Sequence, residues 1–445
     1  MKKEKNGFSI NSLKVTLVNL GCDKNRVDAE RMLYKLINMG FKLALEVKTA
    51  DLIIVNTCSF IESAIVESEN TISETIRVKK PNAKLIITGC YAQRFFEKAK
   101  ELFPESDLIL KLDQNESLES YVYKLYNQEE KQIKKDNLDR VLSTPSHYAF
   151  LKISDGCNNF CSYCTIPFIR GRYKSEPLEK LKLEAEALAE KGVKELILIA
   201  QDVTRYGQDL YGKPELVKLI KELSSIEKIE CIRLHYCYPE MVTDELIEEI
   251  VVNPKVAKYL DIPLQHISDN VLKAMNRRGD SQTIKTLIGK LKEKNITVRS
   301  TFIVGFPTET KKDFKELVEF LKQTKLNYVG FFAYSKEENT KAAQMEQVPD
   351  KEKQRRLKIV QGLQTKILKA NQKKQTGLVV KAVCDKYIRD GVYELRAFNS
   401  SPEVDTLIYV YSERQLEIGN YYVVKIKKQI GIDLEGVIVW IYPTK

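Results

Sequence analysis

No uninterrupted apolar run in this chain approaches the roughly 18 residues that a membrane-spanning helix needs. The N-terminus, Met1-Lys2-Lys3-Glu4-Lys5-Asn6-Gly7, is charged, and no apolar core follows it, so nothing there reads as a secretory signal peptide. Both absences point to a soluble, cytoplasmic protein with no membrane partner. Histidine is scarce too, with three in 445 residues. His235 and His266 stand at expected strand ends and read as hydrogen-bonded core residues; His147, just before a strand, reads as structural. At 43% apolar content the chain is globular, with room for two to four domains.

What the chain does have is cysteine, nine in all. In a reducing compartment that number is better explained by metal ligation than by disulfides. The formal charge is +11, and its distribution decides what it means. Residues 1–142 hold 23 basic and 21 acidic side chains, and residues 377–445 hold 9 of each. Much of the excess lies in 341–374, with 10 basic and 3 acidic residues. That stretch is either a solvated helix face or a surface that meets ribosomal RNA.

Residues 13–90 repeat one pattern three times. Strands over 14–22, 51–58 and 84–90 each end in a cysteine, Cys22, Cys58 and Cys90, and each is followed by a helix, running to about Met39, Arg77 and Leu102. Near-continuous apolar strands alternating with helices predict a parallel sheet buried on both faces. Ligands of such sheets bind beyond the carboxyl ends of the strands, so three cysteines some 30 residues apart converge on one point. Leu108-Ile109-Leu110 is a further strand, and Gln128 to Asp139, rich in charge, reads as a linker before Thr144-Pro145.

From Tyr148 the alternation resumes. Strands are expected at 148–153, 194–200, 230–236, 258–264, 297–304 and 328–334, with helices at 177–191, 215–223, 243–251, 269–275 with 281–294, and 310–323. Six such units predict a partial TIM-type barrel, open on one side. A helix over 350–374 leads to Gly377, and residues 378–442 read as short alternating strands with turns at Asp390-Gly391 and Ile418-Gly419-Asn420. The expected domains are 13–128, 143–374 and 377–445. The last is a small antiparallel barrel with Trp440 in its core.

The first strand of the central domain runs into Cys157-Asn158-Asn159-Phe160-Cys161-Ser162-Tyr163-Cys164. Thiols this crowded either cross-link or share a metal. Three is an odd number for disulfides, and zinc normally takes a fourth ligand, for which His147 is the candidate. A 4Fe–4S cube held by three cysteines leaves one iron open to a small molecule. The C-x3-C-x2-C spacing resembles closely that of the radical S-adenosylmethionine enzymes. Together with the N-terminal cysteines and the C-terminal barrel, it makes the whole chain similar to the methylthiotransferases of that superfamily. Supporting stretches are Leu20-Gly21-Cys22-Asp23-Lys24-Asn25, Val55-Asn56-Thr57-Cys58, Leu260-Asp261-Ile262-Pro263-Leu264-Gln265-His266 and Ile303-Val304-Gly305-Phe306-Pro307. The Asp-Lys-Asn after Cys22 resembles the Pro-Lys-Asn of the branch that modifies a ribosomal protein, with Asp23 departing from its proline, rather than the Gln-Met-Asn of the tRNA-modifying branch.

The resemblance implies two 4Fe–4S clusters, one on Cys157, Cys161 and Cys164 and one on Cys22, Cys58 and Cys90, with S-adenosyl-L-methionine as both radical source and methyl donor. It implies that a deoxyadenosyl radical abstracts hydrogen from the β-carbon of an aspartate in small-subunit ribosomal protein twelve, and that the carbon radical then takes a methylated sulfur from the N-terminal cluster. It also implies sulfur-donor and electron-donor proteins as partners. Tyr163 is expected near the adenine and the Val304-Gly305-Phe306 backbone close to it, with Gly305 permitting the approach. Gln201 and Asp202, ending their strand, are candidates for the methionine moiety; Asp202 reads equally as the cap of the following helix. Gln265 and Arg277 are candidates to face cofactor or substrate. Cys231, Cys237 and Cys384 have no companion at metal spacing and read as buried thiols. Two rivals remain, a tRNA adenosine methylthiotransferase and a non-catalytic iron–sulfur protein that binds RNA. The neutral barrel favours a protein substrate over tRNA, which needs basic residues to displace counterions from its phosphates.

Overall fold

The computed structural model describes residues 10–130 and 138–441. They form two compact units. The first comprises the chain up to Ser143 together with Thr165–Arg172, and the second comprises Thr144–Cys164 and everything from Tyr173 onward. Part of the expected linker, residues 131–137, lies outside the described residues, as does the side chain of Trp440.

In the first unit the strands Lys14–Asn19, Leu52–Thr57 and Lys84–Gly89 lie side by side and parallel, flanked by short edge strands Lys42–Leu43 and Leu108–Ile109. The middle strand is buried at every position. Its alternation explains why no polar face was visible in the sequence. Leu52 and Ile54 enter a core with Met32, Leu36, Leu118 and Val122. Ile53 and Val55 enter the opposite core with Ile65, Ile72, Tyr91 and Ala99. Helices on both faces leave no wet side, so the run Leu52 to Val55 is apolar throughout, and the polar Asn56 and Thr57 come only at the strand's carboxyl end. The helix expected from Cys90 to about Leu102 is two, Cys90–Arg94 and Phe96–Leu102, because Phe95 leaves helical backbone at φ −123° and ψ 41°. The chain past the linker is pinned by Glu30, which pairs with the buried Arg140 at 3.1 Å and accepts from the Ser143 amide and hydroxyl at 2.9 and 2.7 Å.

The second unit holds six strands, Tyr148–Lys152, Glu195–Ile199, Cys231–Leu234, Val256–Asp261, Thr297–Val304 and Tyr328–Ala333, each parallel to the next in chain order and forming an open sheet. Helices Leu178–Glu190, Leu216–Ser224, Asp244–Val252, Ser281–Glu293 and Lys311–Thr324 provide the crossovers. After the helix Asp350–Lys373, five strands from Val379–Arg389 to Asp433–Ile441 close into a barrel around Ala382, Cys384, Leu395, Val410 and Val424. The Asp390-Gly391 turn forms as expected, both residues at positive φ (50° and 76°). One pairing differs from expectation: Ile408–Tyr411 runs parallel to Asp433–Ile441, so the barrel is mixed rather than wholly antiparallel.

Barrel and six-stranded sheet belong to one unit rather than two, and buried charge joins them. Glu195 begins its strand 1% exposed and takes Arg233 Nε at 2.7 Å and Arg396 Nη2, from the barrel, at 2.7 Å. Burial pushes the Glu195 carboxyl up, but the two guanidinium groups overcome it and hold the group at about 2. Arg396 Nε also donates to Asp385 at 2.9 Å, and Asp385 pairs with His147 Nε2 at 2.8 Å. His147 is thus structural, as its position implied. Removing one member of a buried ion group strands the others. Glu195→Gln is expected to lower stability by about 3–5 kcal/mol, seen as a clear fall in the melting temperature by calorimetry; an unchanged melting temperature would refute this account of the joint.

Candidate metal centres

The loop after Tyr148–Lys152 turns at Gly156 (φ 72°) and at Phe160, which is left-handed at φ 49°. The Cys164 amide donates to the Cys161 carbonyl at 3.0 Å, drawing two of the three thiols into one turn. Side chains and backbone of a distant helix end fix the loop. The Ser162 amide donates to Met275 O at 3.0 Å, its hydroxyl to Ala274 O at 2.7 Å, and Asn276 Nδ2 donates to Phe160 O at 2.9 Å. Burial, and after it the charge of Cys161, pushes the Cys157 thiol up to about 11. Cys157 therefore holds its proton until a metal displaces it. The Tyr238 hydroxyl lies 3.2 Å from Cys161 Sγ.

The structure gathers most of the expected cofactor residues around this loop. Tyr163 meets Phe306 edge-to-face at 6.3 Å and is half-buried, its hydroxyl raised above the usual range chiefly by desolvation. Arg277 lies 3.8 Å over the Tyr238 ring, donates to Pro263 O at 2.8 Å, and feels the charges of Tyr163 and Cys161. Gln201 Nε2 donates to Asp155 at 3.3 Å and its Oε1 is buried without a partner. Gln265 is left-handed at φ 69°, its amide on Thr301 O and its carbonyl taking Ile303 N, both at 2.8 Å. At Asp202 the capping alternative is what the contacts display. Fully buried, it accepts from Thr204 N at 3.1 Å, Thr204 Oγ1, Arg205 Nε at 3.0 Å and Asn159 Nδ2 at 3.1 Å. Gly305 sits at φ 70°, and a Cβ there would lie 2.4 Å from Lys353 Cγ. The glycine is demanded by that lysine stem.

Sequence reasoning missed Glu240. Both its carboxylate oxygens are buried without a partner, near the charges of Arg277, Asp202 and Arg205, and burial raises its pKa. Its one signal was place: Tyr238-Pro239-Glu240 lies in the loop beyond the strand Cys231–Leu234, past His235-Tyr236-Cys237, at the end where such barrels keep their ligands. The remaining histidines are hydrogen-bonded as expected, His235 Nε2 to Ser401 at 2.9 Å and His266 Nδ1 from the Ser268 amide at 3.0 Å. Cys231, Cys237 and Cys384 are buried free thiols.

In the first unit the three cysteines lie just past the carboxyl ends of neighbouring parallel strands. Cys22 precedes the helix Asp23–Asn38, and a Cβ on Gly21 (φ 91°) would come 2.9 Å from Cys58 Sγ. Ser68 Oγ grips the backbone of Cys58, accepting its N–H at 3.0 Å and donating to its carbonyl at 2.7 Å. Cys90 opens its helix after Gly89 (φ 96°), where a Cβ would strike Thr57 N and O at 2.4 Å. Burial, with smaller contributions from the charges of Cys22 and Cys58, pushes the Cys90 thiol up to about 12. Asn25, 1% exposed, donates to Leu20 O at 2.9 Å and Thr57 O at 3.0 Å, and its Oδ1 lies 3.6 Å from Cys90 Sγ. Among the described residues no three His, Cys, Asp or Glu side chains close on a point that one metal ion would fill.

Three family descriptions match the chain: Radical SAM superfamily over residues 151–321, Uncharacterized protein family UPF0004 over 14–111, and TRAM domain over 376–439. Proteins named ribosomal protein uS12 methylthiotransferase RimO are similar along nearly the whole length. That of Clostridium botulinum (strain Okra / Type B1) is 45% identical over 96% of this chain and 98% of its own. The Clostridium acetobutylicum protein is 44% identical over 96% and 99%. Among solved structures, the radical S-adenosylmethionine methyltransferase TsrM from Kitasatospora setae matches with a TM-score of 0.54 at 15% identity, over 72% of this chain and 75% of that one. The cobalamin-dependent S-adenosylmethionine radical enzyme OxsB matches with a TM-score of 0.51 at 14% identity, over 77% and 56%. At that identity the two structures speak for the fold alone. The full-length similarity to the clostridial proteins speaks for more: the chain belongs to the RimO family of radical S-adenosylmethionine methylthiotransferases.

Proposed function

We propose that this protein adds a methylthio group to the β-carbon of an aspartate in small-subunit ribosomal protein twelve, and that it does so with two 4Fe–4S clusters. The observation that supports the reading is the place of Cys22, Cys58 and Cys90, each just past the end of one of three neighbouring strands, in a chain that also carries the Cys157, Cys161 and Cys164 spacing. A cube held by three thiolates keeps one iron free, which at the Cys157–Cys161–Cys164 set supplies electron delivery to S-adenosylmethionine, and at the other set a place for sulfur. The ribosomal substrate is the one named for the clostridial relatives. The barrel's 9 acidic and 9 basic residues suit a protein partner better than tRNA. Exposed Lys358, Lys366, Lys369 and Lys373 along Asp350–Lys373 provide a positive face for neighbouring ribosomal RNA.

Around the cofactor, the chain's own residues divide the work. Tyr163 and Phe306 form an aromatic wall for the adenine. Arg277 offers its guanidinium to the methionine carboxylate. Glu240, rather than Asp202, meets the methionine ammonium, because the Asp202 oxygens are already taken by four donors while those of Glu240 have none. Glu240→Gln is expected to weaken S-adenosylmethionine binding roughly tenfold or more, yet leave binding of 5′-methylthioadenosine, which lacks the amino-acid moiety, unchanged. Equal losses for both ligands in equilibrium dialysis would remove Glu240 from that role.

Cys161→Ala is expected to stop cleavage of S-adenosylmethionine to 5′-deoxyadenosine, whereas Cys58→Ala keeps cleavage and loses methylthio transfer. Each variant falls from about eight irons per chain to about four. A Cys58→Ala enzyme that still transfers methylthio groups would show the second cluster is misplaced. The substrate is tested by deleting the gene and weighing intact small-subunit proteins beside digested tRNA. One methylthio group should vanish from a ribosomal protein; loss from a tRNA adenosine would overturn the reading.

A further inference from the structure

Arg170 lies six residues beyond Cys164, yet the segment that carries it, Thr165–Arg172, belongs to the first unit. Its short helix Ile166–Ile169 packs on the helix that Cys90 begins. The Arg170 side chain is 1% exposed, and its contacts beside the strand-end cysteines include Asn25 and Asp28. Nη2 donates to Asn25 Oδ1, the atom that faces Cys90 Sγ, and Nη1 and Nη2 each donate to Asp28 Oδ2 at 3.2 Å. Asn25 is itself locked to the ends of two strands through Leu20 O and Thr57 O, so the arginine braces the frame on which the sulfurs sit. A buried guanidinium one side chain away from the Cys90 sulfur favours the charged form of the cysteines beside it. Neutral thiols carry no charge for it to meet; thiolates do.

We propose that Arg170 is the charge-balancing and positioning residue of the Cys22–Cys58–Cys90 site, supplying the cation that offsets the three thiolates once they ligate iron and fixing Asn25 against the Cys90 sulfur. The inference rests on the second-cluster reading above and adds to it a residue that neither the family comparisons nor the cysteine spacing assigns. Arginine suits the task because its planar fork serves Asn25 and Asp28 at once and keeps its charge at any working pH. Asp28 then has the opposite effect, tempering the field that Arg170 imposes on the cluster.

The full-length protein with Cys157, Cys161 and Cys164 all changed to Ala leaves one cysteine set to examine. It is reconstituted anaerobically with ferrous iron and sulfide, its iron is counted, and its cluster is titrated potentiometrically with electron paramagnetic resonance as the readout. About four irons are expected in this parent. Arg170→Met should shift the midpoint to more negative potential and lose iron to a chelator about 10–100-fold faster. Arg170→Lys, which keeps the charge, should restore most of the midpoint but not the slow iron loss. Asp28→Asn should shift the midpoint the other way. Identical midpoints in parent, Arg170→Met and Asp28→Asn, or shifts of the same sign in both variants, would reduce the arginine to a packing element and overturn the proposal. If Arg170→Met takes up no iron, the sign of the Asp28→Asn shift decides. A parent that binds no iron would instead refute the second cluster itself, and this inference with it.

Discussion

In a parallel sheet every strand delivers its C-terminal end to the same side, and both candidate centres depend on that one constraint. Leu52–Thr57 and Lys84–Gly89 pair in register through Asn56 with Thr88 and Thr57 with Gly89. The residues that follow, Cys58 and Cys90, are thereby neighbours although 32 positions separate them in the chain. Cys22 joins them because Leu20 N bonds Asn56 O just past the end of the adjoining strand. The second unit applies the same rule to its six strands. Cys157, Gln201, Tyr238, Gln265 and Gly305 each follow a strand end, so the sheet assembles from distant segments what no local motif holds.

The price of such a buried sheet is that polar groups entering it must bring partners, and Glu195 illustrates how the chain responds. Two arginines, one from the neighbouring strand and one from the barrel, converge on it, and the same contacts that satisfy the carboxylate make the barrel continuous with the sheet. Arg299 with Asp405 at 2.7 Å and Tyr328 with Ser400 and Thr406 at 2.9 and 3.0 Å extend the seam. Specific polar contacts, rather than a broad apolar face alone, set where the barrel rests.

Strands, crossover helices and all six candidate cysteines were legible in the sequence because each obeys a short-range rule: a period, a spacing, a strand end. What was not legible depended on distant partners. No proline or glycine marks the break at Phe95, whose ring packs 5.4 Å from Tyr91. The parallel pair in the barrel is a matter of how the chain returns, which alternation does not encode. Asp202 read equally as a cofactor partner and as a cap; its cap contacts with Thr204 are local, whereas the donor Asn159, 43 residues away, is brought by the fold. Gly305 looked like a cofactor glycine, and its missing side chain makes room for Lys353, 48 residues later. The membership of Thr165–Arg172 in the first unit had no local signature at all, since it follows the radical-type cysteines without interruption.

That last feature bears on how such proteins can be recombined. A crossover between homologues placed at the linker would give the offspring a first unit from one parent and its Thr165–Arg172 insert from the other, separating Arg170 from the Asn25 and Asp28 it evolved beside. The inheritable block is therefore discontinuous. A domain swap that respects the linker alone would import a foreign keystone into an otherwise native arch.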